Sequence, residues 1–536
     1  MHNILIKGGM LVDGTGAPAA PMDLALDGGR IAGIYKHSEA KATVSKDASG
    51  MIVCPGFIDI HTHSDLTILG NPLAESKIRQ GVTTEIVGNC GGSLAPLRGA
   101  ARKDAVEDGK LLCVDVDWTT MDEYLLRLHN LRTSVNVGSL VGAETVRRCV
   151  LGDNNVKPNA AQLEQMNALV AESMSQGGFG LSSGLVYAPG YYAGTDELIS
   201  LASTAASFGG IYSSHIRGEG VSLIKAVEEA IRIGREANIP VQISHHKASG
   251  NSNWGKVDQT IKMIEEARRD GVDVAFDGYP YTASNAALVS ILPPWAREGN
   301  SEEIIGRLKE PGIRKRIATD LERSSEEWEN TVAECGWDKV VLTSFQSSKN
   351  RRFEGKSVTE VSAEVGKTPL DTTLDLLVEE GLHLMGIYHD VSEDDLRKVL
   401  AHPLCCVASD GESTSPYGLT GGLANHPRSF GTFPRVLRKY AIDLKLFSIE
   451  EAVRKMTSLP AQRMGIRDRG VLAKGMAADV VVFDPEKIRD TATFEQPHGY
   501  PEGVKYVIVN GAVTIEDGKH TKERAGFVLR HSPRIA

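Results

Sequence analysis

Ile211-Tyr212-Ser213-Ser214-His215-Ile216-Arg217-Gly218-Glu219 is a β-prone apolar run that empties into a polar, glycine-containing loop. Just beyond it, Ile224, Val227 and Ile231 share one face at helical spacing, which predicts a helix over about 220–238. Val241-Gln242-Ile243-Ser244 then returns to a strand. A second helix aligns Ile261, Ile264 and Ala267, and Val272-Asp273-Val274-Ala275-Phe276 follows as the next strand. Units of this kind recur about every 30 residues, the length of a βαβ crossover, so the strands are expected to run parallel. Eight candidate strands can be placed, at 56–60, 82–87, 134–140, 178–182, 210–214, 240–244, 272–277 and 404–409. Eight alternating units predict an α/β fold, a (β/α)8 TIM-like barrel. An open doubly wound sheet is the alternative.

The two ends of the chain have a different texture. Ile4-Leu5-Ile6 and Met10-Leu11-Val12 are β-prone runs split by Gly8-Gly9, which is expected to turn the chain. Tyr506-Val507-Ile508-Val509-Asn510-Gly511-Ala512-Val513 carries the Asn-Gly signal of a hairpin. A small β-sandwich built from 1–55 and 466–536 is therefore expected to enclose a catalytic barrel over 56–465. The stretch between the seventh and eighth strands is too long for a connection. Its earlier part, 290–350, is charged and helix-prone and is expected to be an inserted subdomain, either a lid over the site or a plain surface excursion.

Composition narrows the function. The 536 residues carry a formal net charge of −10, which disfavours nucleic acid or an anionic lipid surface as partner. The longest apolar run falls far short of a membrane helix, and the first residues lack the pattern of a secretory signal. The 7 cysteines are scattered and odd in number, as in a reduced, cytoplasmic protein. Oligomeric state is not legible in the sequence.

The chemistry lies where the strands run out. The first ends in Asp59-Ile60-His61-Thr62-His63; residues two apart share a face, so both imidazoles can reach one cation, although two polar loop histidines would look the same. The fifth ends in His215, the sixth in His245-His246-Lys247 and the eighth in Ser409-Asp410-Gly411. Four strand ends presenting His, His, His and Asp at the active rim of a barrel point to a metal site. Alternation turns His246 away if His245 points inward. Cys90, in Gly88-Asn89-Cys90-Gly91, follows the second strand, and position alone leaves it either a ligand or an ordinary buried thiol.

These blocks resemble the amidohydrolase superfamily, and within it the D-aminoacylases (N-acyl-D-amino-acid deacylases). The likeness runs through Gly56–His63, Gly81–Gly91, Ser182–Tyr191, Ser214–Arg217, Ser244–Lys247, Tyr279–Ser284, Ser409–Gly411 and His426–Arg435. It implies a Zn2+ held by Cys90, His215 and His245, with Cys90 as the bridging group and His61 and His63 forming a second, weaker metal position. A carboxylated lysine bridges the metals in many related hydrolases, but the fourth strand here, Gly180-Leu181-Ser182-Ser183, has none. Asp410 is the expected general base and acid. Tyr279 or Tyr281 is expected to donate to the oxyanion. The resemblance assigns Lys247, Arg428 and Tyr279 to the substrate carboxylate, and Tyr281 and Ser284 are further expected substrate-binding residues. The implied reaction is hydrolysis of a small-molecule N-acyl-D-amino acid to a carboxylate and a free D-amino acid. Opening of a cyclic amide, cleavage of a dipeptide, and a non-catalytic scaffold are the alternatives.

Overall fold

The computed structural model describes residues 1–36, 39–423 and 426–532. Eight short parallel strands form its centre: Phe57–Asp59, Val82–Val87, Asn136–Ser139, Gly180–Gly184, Ile211–His215, Val241–Ile243, Val274–Gly278 and Cys405–Val407. Each lies within two residues of its expected place. Pairing runs in sequence order, and the third strand hands over at Leu140 from its second-strand neighbour to Val141–Gly142, which pairs with the fourth. The eighth strand meets the first through a parallel bridge between Thr62 and Gly411 and a bond from Asp410 N to His61 O of 2.9 Å. The order never reverses, as it would in a doubly wound sheet. This is an α/β arrangement of the TIM-barrel class.

Inside the strands sits an apolar cluster of Ile60, Ile86, Leu140, Phe179, Ile211, Cys406 and Ala408, closed below by Leu459, Met464 and Leu529. Outside, the helices bury most of each predicted stripe: Leu223–Ala237 buries Val227 and Ile231 but not Ile224, and Lys256–Arg269 buries Ile264 and Ala267 but not Ile261.

A buried cation ties the seam between the first and eighth strands. The Lys77 Nζ donates to Asp59 Oδ2 at 2.9 Å, to Ser409 Oγ at 2.5 Å and to Gly411 O at 3.2 Å. Asp59 Oδ1 accepts from Ser409 N at 2.9 Å. Both side chains of this pair are fully buried. Removing one member leaves an uncompensated buried charge, so Lys77→Met is expected to cost about 3–5 kcal/mol in urea unfolding. A cost below about 1 kcal/mol would show that the seam does not depend on the pair.

The terminal segments contribute nine strands to one hydrogen-bonded sheet, drawn from His2–Pro55 and Val480–His520; residues 533–536 of the second segment lie outside the described residues. Side chains alternate across it: Val480 and Val482 join a core with Ile4, Leu24 and Ile508, whereas Val481 and Phe483 face the barrel's core. Asn510-Gly511 turns a hairpin with both φ angles positive, at 47° and 83°. Gly8-Gly9 does not turn the chain. His2–Leu11 is one continuous strand in which Gly8, at φ 75°, makes a bulge whose N–H donates to Asp23.

Between the seventh and eighth strands, Ser284–Ala287, Val340–Thr343 and Met385–Tyr388 form a separate antiparallel sheet. The apolar cluster packed with it runs from Leu288 to Tyr388, so it extends well past residue 350. No helix among the described residues is long and apolar enough to cross a membrane.

Candidate active site

The strand ends deliver their side chains to one point. The Cys90 Sγ lies 3.3 Å from His61 Nε2, 3.7 Å from His245 Nε2 and 3.9 Å from His215 Nδ1. Asp410 Oδ1 is 3.3 Å from His61 Nε2 and 2.9 Å from His63 Nε2. Among the described residues, the ligand atoms of His61, Cys90, His245 and Asp410 all lie within 4.8 Å of one another, and so do those of His215, Glu219 and His245, so two adjoining groups that share His245 could hold metal. Zinc's ligands, bound at about 2.0–2.3 Å, sit roughly 3.3–3.8 Å apart, close to the thiol's distances from His61 and His245. The buried Nδ1 of His61 and Nε2 of His215 make no hydrogen bond. His63 stands at the rim, one-third exposed at 34%, on Asp410 rather than on the thiol's centre.

The backbone is bent to achieve this. Cys90, His245 and Asp410 all have positive φ, at 48°, 34° and 50°, a conformation that costs a non-glycine residue of order 1–3 kcal/mol. Neighbouring contacts hold it. Ser182 Oγ, on the fourth strand where no lysine stands, donates to Gly88 O and accepts from Gly91 N. At Gly91 a Cβ would lie 1.5 Å from the Glu144 carboxylate, so only glycine fits beside the thiol.

Electrostatics follow from the crowding. Burial opposes ionisation of Cys90, yet His61 and the hydrogen bonds from His215 and His245 draw its thiol well below the usual range. Burial likewise opposes the Asp410 carboxylate, and Arg428, His245 and His61 overcome it, holding the group ionised. Arg428 Nη1 donates to Asp410 Oδ2 at 2.6 Å.

A cavity of about 350 Å³ opens above this centre. Lys247, Tyr279, Ser284 and Arg428 line it. The Lys247 and Arg428 cations lie over the Tyr279 ring at 5.6 and 5.4 Å, and the Tyr279 hydroxyl is buried without a partner. Ser284 donates to Asp390 Oδ1 at 3.4 Å. Tyr281 is not in the cavity. Its N–H bonds back to Tyr279 O across Pro280, a tight turn that breaks the alternation, and its hydroxyl donates to Pro427 O at 3.3 Å. His246 is turned away onto Thr260, at 2.8 Å.

Four residues were not singled out by the sequence. Asp277 Oδ1 lies 3.3 Å from His61 Nδ1 and accepts from His245 N. Glu219 Oε1 accepts from His245 Nδ1 at 2.8 Å. His426, unassigned in the sequence, lines the cavity and accepts from Arg428 N at 3.1 Å. Arg297, from the insertion, lines the cavity with 8% exposure, donates to Val186 O and leaves its buried Nε unpaired. Among the described residues no carboxylate forms an ion pair with Arg297, and burial pulls its guanidinium below the usual range.

A model of the amidohydrolase family matches residues 46–515. The chain belongs to that family. Amidohydrolases similar to it include the D-aminoacylase of Alcaligenes xylosoxydans xylosoxydans, 36% identical over 98% of this chain and 97% of that one. The N-acyl-D-glutamate deacylase of the same organism is 35% identical, over 100% of this chain and 98% of its own. Among solved structures, the N-acyl-D-glutamate deacylase of Bordetella bronchiseptica, complexed with zinc and a phosphonate inhibitor, superposes with a TM-score of 0.81 at 33% identity, covering 99% of each chain.

Proposed function

We propose that this amidohydrolase is a zinc-dependent N-acyl-D-amino-acid deacylase that prefers substrates with an acidic side chain. The observation that carries the reading is the Cys90 thiol within 3.9 Å of a nitrogen from each of three histidines, beside an ionised Asp410. The names of its relatives support the N-acyl-D-amino acid as substrate and the D configuration. The reading includes one tight zinc at Cys90, His215 and His245, with a second, weaker position at His61 and His63. It also includes a closed (β/α)8 barrel over 56–465, a terminal β-sandwich of 1–55 with 466–536, and the insertion as a wall of the site. Seven free cysteines support a cytoplasmic location.

Bound at this centre, zinc supplies Lewis acidity that makes an amide carbonyl susceptible to water. Asp410 takes the proton of the attacking water on Oδ1 and returns it to the departing amine nitrogen. Arg428 holds Oδ2, so the carboxylate keeps its orientation while the proton moves. The free N–H groups of Arg428 and the Tyr279 hydroxyl face the cavity together, a set suited to the substrate's α-carboxylate, and Lys247, whose N–H groups are taken by Glu219 and His245, adds a point charge beside them.

Arg297 explains the acidic preference. A buried guanidinium without a counter-charge is costly in the empty cavity and is satisfied when a side-chain carboxylate arrives. Replacing it by methionine is expected to lower kcat/KM for N-acetyl-D-glutamate or N-acetyl-D-aspartate by roughly 10–150-fold, a charged hydrogen bond of about 1.5–3 kcal/mol. N-acetyl-D-methionine should be cleaved as well as before or better. The test is release of free D-amino acid from these three substrates by the zinc-loaded enzyme, with a hydantoin and a dihydropyrimidine as ring-opening controls. No release from any D-substrate, or faster ring opening, would sink the deacylase reading. Equal losses on all three substrates would sink the role of Arg297.

A further inference from the structure

Glu219 lies four residues past His215, in the loop that leaves the fifth strand, and is 6% exposed. Its carboxylate serves two residues at once. Oε1 accepts from His245 Nδ1 at 2.8 Å, and the two oxygens accept from Lys247 Nζ at 2.6 and 2.7 Å. The same ammonium donates to His245 O at 2.9 Å. Oε2 lies 4.0 Å from the unbonded Nε2 of His215.

The first contact orients an imidazole. His245 Nδ1 has two neighbours, Glu219 Oε1 at 2.8 Å and the Lys247 ammonium at 2.9 Å. When Nε2, which faces Cys90 at 3.7 Å, binds a cation, the imidazole proton sits on Nδ1 and Glu219 is the neighbour able to accept it. A carboxylate behind a ligating imidazole also raises its basicity. The second contact fixes a flexible cation. A lysine side chain costs rotamer entropy to immobilise, and here the cost is met before substrate arrives. Lys247 is left on the cavity wall beside Tyr279.

We infer that Glu219 is a positioning residue that couples the metal centre to the substrate-carboxylate site, orienting His245 through one oxygen and holding Lys247 through both. The inference rests on the deacylase reading for its Lys247 half; the His245 half stands on the metal centre alone. No motif marks Glu219, because a loop has no period that would link it to residues 245 and 247.

The test uses full-length, zinc-loaded enzyme. Glu219→Gln is expected to keep the wild-type near-ultraviolet circular dichroism and to raise the zinc dissociation constant, read by competition with a chromophoric chelator, roughly 10–100-fold. With zinc restored to saturation, kcat should largely recover while KM for N-acetyl-D-glutamate stays raised roughly tenfold, a split that general loosening would not produce. Lys247→Gln should raise KM to a similar degree without loosening zinc. The double variant should raise KM no further than either single change, because both remove one interaction. Unchanged zinc affinity and KM in Glu219→Gln, or additive effects on KM, would overturn the inference. Should Glu219→Gln fail to fold, Lys247→Gln decides: looser zinc in that variant refutes the division of roles, and a raised KM with unchanged zinc supports it. Absence of deacylation in the wild type would strike the deacylase reading, and the zinc measurement would still judge the His245 half.

Discussion

Cys90→Ala is expected to leave a folded protein that no longer retains metal. After gel filtration through a weak chelator, metal analysis should fall from about one ion per chain to background, and deacylation should fall at least about 10³-fold. The argument is geometric. The Sγ is the atom common to the imidazoles of His61, His215 and His245, and among the described residues no other thiol lies in the cavity wall. Removing it withdraws the negative charge that offsets a divalent cation and leaves the imidazole nitrogens facing an open space. The effect on stability should be small, because the residue is only half-buried and its turn is held by Ser182 on Gly88 and Gly91. A variant that kept a stoichiometric ion would place the metal elsewhere in the molecule.

Asp410→Asn tests the other half of the chemistry. It should retain the metal and the fold while losing roughly 10²–10⁴-fold in kcat, the usual worth of a positioned proton carrier. Asparagine preserves the shape, and its amide oxygen still accepts from Arg428. It cannot take a proton from water near neutrality. Against burial, the carboxylate it replaces is held ionised by Arg428, His245 and His61, and its Oδ1 lies 3.3 Å from His61 Nε2, beside the thiol. Wild-type turnover in the asparagine variant, measured with saturating zinc, would move the proton carrier to another group.

The residues legible in advance share one property. His61, His215, His245 and Asp410 each stand at the end of a strand that its own apolar run announces, and the end of a strand is a place the chain order can predict. Cys90 needed the family resemblance, because a thiol after a glycine looks the same whether it packs or ligates. Arg297 and Glu219 carried no local signal. An unpaired guanidinium is a property of its surroundings, and those surroundings come from Val186 and tyrosines more than a hundred residues upstream. Tyr281 was misplaced because the alternation that should have aligned it with Tyr279 stops at Pro280. The insertion's extent was short by some forty residues because the helices at Val358–Val365 and Pro369–Glu379 have the same charged outer faces whichever core they serve.

The bond from Asp410 N to His61 O both joins the first and eighth strands and holds two residues of the candidate site together. During synthesis the thiol and the imidazoles leave the ribosome long before residue 410. Until residue 410 has been made, the first strand lacks this bond and His61 lacks its carboxylate neighbour. The same main-chain contact thus joins the earliest and the latest of the parallel strands and sets the neighbourhood of the thiol, so the two are completed in one event.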